Sequence, residues 1–495
     1  MTTHLAPTAT AKRTRLLPST PEPRVLVPLV IAAAFLLTGA VAQAVTPFIR
    51  QDDWPFLLPA GTHGVLPTSY YNESEGRWLN FAWWAVVGRH GNATTAALTY
   101  AVGYAALVAG MWRVLHRAGI RPKPTIDALL GIALFASCVW VQLLYWPGTL
   151  SPSVLIAAAA MWLLPWAART RVRLGLWLLI AEVAAVLTYP PIGVVLLVFA
   201  VVLLRDAPWR RVLSVAAVWV AGFALGVGLA YTLNWIVYGH FGLKLALWRR
   251  PNPLTSLEAF GVNTGRWLEA TGTLWAAQWW AVLVGLVGIV IGWRDPTIRP
   301  RLQRLLLAFA VAYALDAAQT LATGVVTEAR GQLWTWLFAV LPVTLLLIGR
   351  KRLPVRIPTD RPLPVDRVAT VLLAVLAVGG VLAWRADIGE HQATRMQYAA
   401  IATTATAHDP RTDAPTVVVY QDPTVRNTRE GRIMASTLFM AVRQEQGGVP
   451  PRWCSGVECL RLAQLAGTGP VIHLGQVGGL DNVMGVIVPT PPSWL

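Results

Sequence analysis

Charge is scarce in this chain of 495 residues: 13% are Asp, Glu, Lys or Arg, while 55% are hydrophobic. An ordinary soluble domain carries roughly a quarter charged residues, so a soluble globular fold is excluded. Lysine is scarcer still, occurring only at Lys12, Lys123, Lys244 and Lys351, and the rest of the 41 basic residues are Arg. Only three cysteines are present, which excludes a disulfide-dense scaffold and a thiolate metal cluster. No internal repeat is visible, against a transporter built from inverted halves. Acids number 24, leaving a net charge of +17. A charge of that size invites a nucleic-acid reading. Its distribution argues otherwise, because the basic residues sit in short clusters between apolar runs, as the positive-inside rule expects of a polytopic protein, and no nucleic-acid partner is expected.

What the chain does have is apolar runs of membrane-spanning length. The opening, residues 1–24, reads as a polar cytoplasmic arm rather than a cleaved signal peptide, since the apolar run after it is too long and lacks a convincing cleavage site. Spans are expected near 25–47, 93–112, 126–145 and 151–167, then two short ones between Leu174 and Leu204 divided at Tyr189-Pro190-Pro191, where two prolines cannot continue a helix. Further spans are expected near 212–237, 274–293, 305–323, 332–349 and 368–384. Placing the Arg-rich connections inside makes the alternation self-consistent over about eleven spans, with the N-terminus cytoplasmic and the C-terminus extracytoplasmic. The expected fold is therefore an α-helical polytopic membrane protein of the plasma (inner) membrane: a transmembrane region over 25–385, followed by a small extracytoplasmic α/β domain over 386–495. In that domain Thr416–Tyr420 and Val483–Val488 read as strands and Ile433–Arg443 as a helix. Cys138 reads as an apolar packer within a span, and Cys454 and Cys459 as a local disulfide in preference to free thiols.

Chemistry concentrates after the first span. Asp52 and Asp53 stand side by side at the mouth of a membrane helix, where carboxylates are costly to desolvate and repel each other. Like-charge repulsion raises the pKa of one, which suits proton abstraction. A glycosyl transfer needs such a base, together with cations that stabilise a leaving phosphate. Arg77 is a candidate for that contact. So are Lys244, Arg249, Arg250 and Arg330, basic residues expected outside against the positive-inside bias. His63, Tyr71, Glu75 and Tyr189 complete the candidate substrate contacts. A divalent cation (Mg or Mn) at Asp52 or Asp53 is chemically reasonable but not required. Trp78–Val87 reads as an amphipathic interfacial helix anchored by Trp78, Trp83 and Trp84. Glu182 and Asp316 fall within spans, lining a groove or paired structurally.

Gln51-Asp52-Asp53-Trp54, Gly76-Arg77-Trp78-Leu79 and Thr188-Tyr189-Pro190-Pro191 together resemble the polytopic GT-C glycosyltransferases, in particular the O-antigen glucosyltransferase (Gtr) group and actinobacterial cell-wall enzymes. The resemblance covers the membrane part, roughly residues 25–385. It implies that Asp52 and Asp53 match the acidic motif of the first outer loop, that one acts as base, and that a basic residue holds the phosphate of a polyprenyl-phosphate sugar donor. A cell-envelope glycan or glycolipid would be the acceptor, with membrane lipids as surroundings. Two other classes compete. A transporter or flippase for a lipid-linked sugar predicts charges along a path through the bilayer; a non-catalytic cell-wall assembly protein predicts no need for the paired acids.

Overall fold

The computed structural model describes residues 50–57, 67–87, 93–246, 249–348, 365–407, 414–426, 428–446 and 450–490. The N-terminal arm, the expected first span and His63 lie outside the described residues.

A 3₁₀ turn, Gln51–Asp53, opens into α1 (Trp54–Leu57), α2 (Ser69–Glu75) and α3 (Trp78–Val87). Next come α4 (Ala93–Arg117), α5 (Pro124–Phe135), α6 (Pro147–Ala167), α7 (Arg171–Val186), α8 (Pro191–Leu203) and α9 (Trp209–Tyr238). They are followed by α10 (Leu257–Ala277), α11 (Trp279–Arg294), α12 (Arg299–Thr323), α13 (Trp334–Leu346) and α14 (Val365–Thr406). The chain ends in an α/β unit: β1 (Thr416–Tyr420), α15 (Pro423–Arg426), α16 (Arg429–Glu445), β2 (Arg452–Trp453), α17 (Val457–Gln464), β3 (Val471–Val477) and β4 (Leu480–Ile487).

Among the described residues, five helices are long and apolar enough to cross a membrane (α4, α6, α9, α12 and α14), or six if the bent pair α10–α11 is counted as one. This is an α-helical membrane protein. Only 28% of the apolar window of α9 is buried inside the protein, so residues such as Leu225, Trp235 and Ile236 present their apolar surface outward, as lipid-facing positions do.

Several expected spans are reshaped. The run 126–145 is not one helix: α5 stops at Phe135 because Ser137 Oγ accepts from the N–H groups of Val139 (3.2 Å) and Trp140 (3.1 Å), an alternative to continued helix. Cys138 lies in that turn, partly buried against the core. The prolines do break the next run, into α7 and α8. Between the spans expected near 212–237 and 274–293 lies most of a further helix, α10, which runs on to Ala277 before the chain bends by 87° into α11. The eleventh run is much longer than expected. Helix α14 continues from Val365 to Thr406, so the boundary at residue 386 falls in mid-helix. The α/β unit begins only beyond it.

In that unit the sheet order is β2-β1-β4-β3, with β1 parallel to β2 and β4, and β3 antiparallel to β4. Strand alternation sends Val417 and Val419 into the main core with Met434 and Leu438 of α16, and Val418 and Tyr420 to the other face, against Leu462 of α17. Cys454 and Cys459 form the expected disulfide. Met440 of α16 packs with Trp54 and Leu57, bringing the unit against the residues that follow Asp53.

Candidate functional site

The site is built where the start of α6 meets the turn Gln51–Asp53. Asp53 is wholly buried, and its two carboxylate oxygens accept from the backbone N–H groups of Gly148 (2.5 Å) and Thr149 (2.6 Å). It thereby satisfies donors in the first turn of α6, where helix N–H groups otherwise lack partners. The approach is close: a Cβ on Gly148 would lie 3.0 Å from Asp53 Oδ2 and press on the carboxylate. Helix α3 holds the same turn from the other side: Asn80 Nδ2 donates to Thr149 O (2.9 Å) and Trp84 Nε1 to Gly148 O (3.1 Å). So α3 does more than anchor at an interface: Asn80 and Trp84 are buried, while Phe81, Val86 and Val87 are exposed.

Asp52 faces the other way. Its backbone carbonyl accepts from Thr149 Oγ1 (3.2 Å), and its side chain, 29% exposed, lies 3.9 Å from Arg330 Nη2. No hydrogen bond reaches its carboxylate among the described residues. Arg330 also pairs with Glu328 (2.8 Å), and its guanidinium carbon lies over the Trp146 indole, 3.8 Å from its centre. Its backbone carbonyl accepts from the Tyr189 hydroxyl (3.2 Å), which ties the α7–α8 break to this pair. A second pairing lies beside it. Glu75 binds Arg77 (2.6 Å) and Arg249 together, and Arg77 lies over Tyr189 at 5.7 Å. Gly76 makes this geometry: it ends α2 at a left-handed φ of +70°, turning the chain so that Arg77 comes back beside Glu75.

Electrostatics separates the two acids. Burial pushes the Asp53 carboxyl up to about 7, against the hydrogen bonds from Thr149 and Gly148 that favour its charge. Burial also raises Asp52, opposed by the positive charge of Arg330 and assisted by Glu75 and Glu328. Burial presses Glu75 upward too, but Arg77, Arg249 and Arg330 outweigh it and hold that carboxyl below its ordinary value. The Arg330 guanidinium is raised, because Glu328 and Asp52 overcome the burial that would lower it.

Of the candidate residues, Asp52, Glu75, Arg77, Tyr189, Arg249 and Arg330 are brought together. Tyr71 is buried against Phe56 beneath them, and burial followed by the charge of Asp52 drives its hydroxyl well above the ordinary value. Lys244 sits further out, pairing with Glu73 at 2.6 Å with its side chain 70% exposed. Arg250 is exposed and holds a positive φ of 49°, uncommon for a residue with a side chain; its carbonyl accepts from Arg266 Nη1 (2.8 Å). Asp316 is paired structurally, accepting from Trp267 Nε1 (2.9 Å), and Glu182 is buried against Gly193.

Either acid was a candidate base from sequence; both oxygens of Asp53 are engaged and sealed from solvent, whereas Asp52 is part-exposed and its carboxylate accepts no hydrogen bond among the described residues. The pair does not fit a divalent cation. Asp53 has no free oxygen, Asp52 already faces a guanidinium, and among the described residues no group of three His, Cys, Asp or Glu is arranged to hold a metal. Sequence reasoning missed Trp146 as the shelf for Arg330, and Gly148 and Thr149 as partners of Asp53. The signal available was the Trp146-Pro147-Gly148-Thr149 helix start, whose N–H groups call for an acceptor. No family model, curated protein or solved structure matches this chain.

Proposed function

We propose that the protein is an inverting glycosyltransferase that takes a sugar from a polyprenyl-phosphate donor and passes it to a cell-envelope glycan or glycolipid on the extracytoplasmic face. The observation that carries this reading is the part-exposed Asp52 carboxylate, free of hydrogen bonds among the described residues, 3.9 Å from a guanidinium at the end of a membrane helix bundle. In the proposed step the acceptor hydroxyl oxygen attacks the anomeric carbon as the bond from that carbon to the phosphate oxygen breaks. Asp52 takes the hydroxyl proton, and the leaving phosphate carries away the electron pair. Arg330, Arg77 and Arg249 meet the charge on that phosphate, in a setting where planar guanidinium groups suit phosphate oxygens. Asp53 fixes the turn that aims Asp52. Lys244 and Arg250 stand at the rim, where a lipid-borne phosphate would first be met.

The test is Asp52→Asn, assayed as purified full chain against a panel of polyprenyl-phosphate sugars. Donor consumption is expected to fall about a hundred- to ten-thousandfold, with donor binding retained. Unchanged turnover overturns the assignment of the base. Donor that crosses the bilayer of a reconstituted vesicle without being consumed would favour a flippase instead.

A further inference from the structure

Arg50 stands two residues before Asp52 and is 8% exposed. Its carbonyl accepts from Asp53 N (3.0 Å) and its N–H donates to Tyr145 O (3.2 Å), so its backbone is part of the turn that aims the acids. Its guanidinium lies over the Trp146 indole at 4.9 Å, the ring that also carries Arg330 at 3.8 Å. Two like charges share one aromatic ring, and each must be held in place. Arg330 is held by Glu328 and Asp52. Arg50 is held from α14, where its Nη2 lies 3.0 Å from His391 Nε2.

A guanidinium only donates, so His391 Nε2 is the acceptor and the ring proton sits on Nδ1. Nδ1 in turn lies 2.7 Å from the Asp387 carbonyl and 3.6 Å from its carboxylate. The Tyr145 ring stacks on the imidazole at 3.7 Å, and its hydroxyl donates to Asp387 Oδ2 (2.8 Å). The ring is thus fixed in plane, rotation and tautomer. At 2% exposure it cannot touch a substrate, so any effect on chemistry passes through Arg50.

We propose that His391 is a positioning residue for the Asp52–Arg330 pair, acting through Arg50 and Trp146. The proposal deepens the glycosyl-transfer reading and rests on it. The charged groups facing Asp52 are Arg330, Glu328, Glu75, Arg77 and Asp53; those around His391 are Arg50, Asp387 and Glu390.

His391→Phe keeps the stack on Tyr145 and removes the Nε2 acceptor that Arg50 Nη2 meets from α14. Arg50 then ceases to brace Trp146, Arg330 draws away from Asp52, and Asp52 loses the charge that opposes its burial. A base must be deprotonated to work, so the acid limb of kcat/KM moves to higher pH, with a loss of about ten- to a hundredfold near neutrality. His391→Gln, which restores an acceptor, returns most of the limb. Arg50→Lys keeps the charge without the planar group and is expected to shift the limb the same way, should His391→Phe fail to fold. The Asp52 titration is also read without any substrate, as the carboxyl stretch in infrared difference spectra against the matching Asp52→Asn protein. A rate loss with no displacement of the limb or of the infrared midpoint in either variant overturns the proposal. An unmodified protein that consumes no donor, yet whose infrared midpoint moves in His391→Phe, overturns the glycosyl-transfer reading while leaving the positioning role standing.

Discussion

Two arginine–carboxylate assemblies in this chain use the same chemistry to opposite ends. In the C-terminal α/β unit, Arg452 meets Glu458 with both of its terminal nitrogens, and the Ser455 N–H donates to the same carboxylate at 3.1 Å. The pair closes a short turn already tied by Cys454–Cys459. Beside α6, by contrast, one carboxylate is shared by two arginines (Glu75 with Arg77 and Arg249), and one arginine is divided between Glu328 and an Asp52 too distant for a hydrogen bond. The first assembly is saturated, so a ligand has nothing to gain there. In the second, the Asp52 carboxylate accepts no hydrogen bond among the described residues, so under the proposed function an acceptor hydroxyl can engage it. Ion pairs alone do not mark a site; under the proposed function the 3.9 Å separation of Asp52 from Arg330 is what sets the second assembly apart from the first.

The comparison breaks most visibly at Arg330. Arg330→Gln removes the charge facing both Asp52 and the proposed phosphate. A loss of about a hundred- to a thousandfold in kcat/KM is expected, with donor KM raised, as when one donor to a developing negative charge is deleted. Arg330→Lys should recover only part, because an ammonium offers no planar fork. Steady-state kinetics over donor concentration checks this, and equal activity of all three proteins would remove Arg330 from the phosphate site.

Asp53 sharpens the contrast within the site, because it is the saturated neighbour of an unsaturated acid. Asp53→Asn leaves one backbone donor of α6 without an acceptor and should cost about 1–2 kcal/mol in acid. The sign of its pH dependence follows from a folded value of about 7 against an ordinary 3.8. A carboxyl raised on folding contributes its stability below 3.8 and loses it as pH rises through about 7. The gap in melting temperature between the parent and Asp53→Asn should therefore narrow across that window. A gap that widens with pH would mean that the N–H groups of Gly148 and Thr149, rather than burial, govern Asp53.

Much of this division was legible in the sequence and some of it was not. Apolar runs and Arg clusters located most of the long helices, and the prolines at Tyr189-Pro190-Pro191 marked a true break, because both signals are local. The end of α14 was misread. Arg385, Asp387 and Glu390 look like the exit from a membrane, yet they are compatible with helix, and the backbone continues while its surroundings change. The bend at Gln278 carries no proline or glycine to announce it. Adjacency drew attention to Asp52 and Asp53 but could not show that their surroundings differ, since these depend on Thr149 and Arg330, nearly a hundred and nearly three hundred residues away. The convergence of Arg77 and Arg249 on Glu75 is likewise a long-range fact.

The smallest effect belongs to the saturated pair and tests the other side of the comparison. Glu458 is held below its ordinary pKa by the hydrogen bonds of Arg452, against burial and with help from the Ser455 N–H. A depressed carboxyl contributes stability above its ordinary value of 4.5 and loses it as pH falls through the folded value. The Arg452 side chain is 37% exposed, so solvent screens much of the attraction and Arg452→Ala should cost about 1 kcal/mol or less. Calorimetry on the parent and the variant should show that small difference near neutrality and its disappearance in acid, while donor consumption stays at the parent level. Loss of transfer on breaking this closed pair would mean that the C-terminal unit, through α16 and Trp54, holds Asp52 in place, and the distinction between structural and exchangeable ion pairs would fail for this protein.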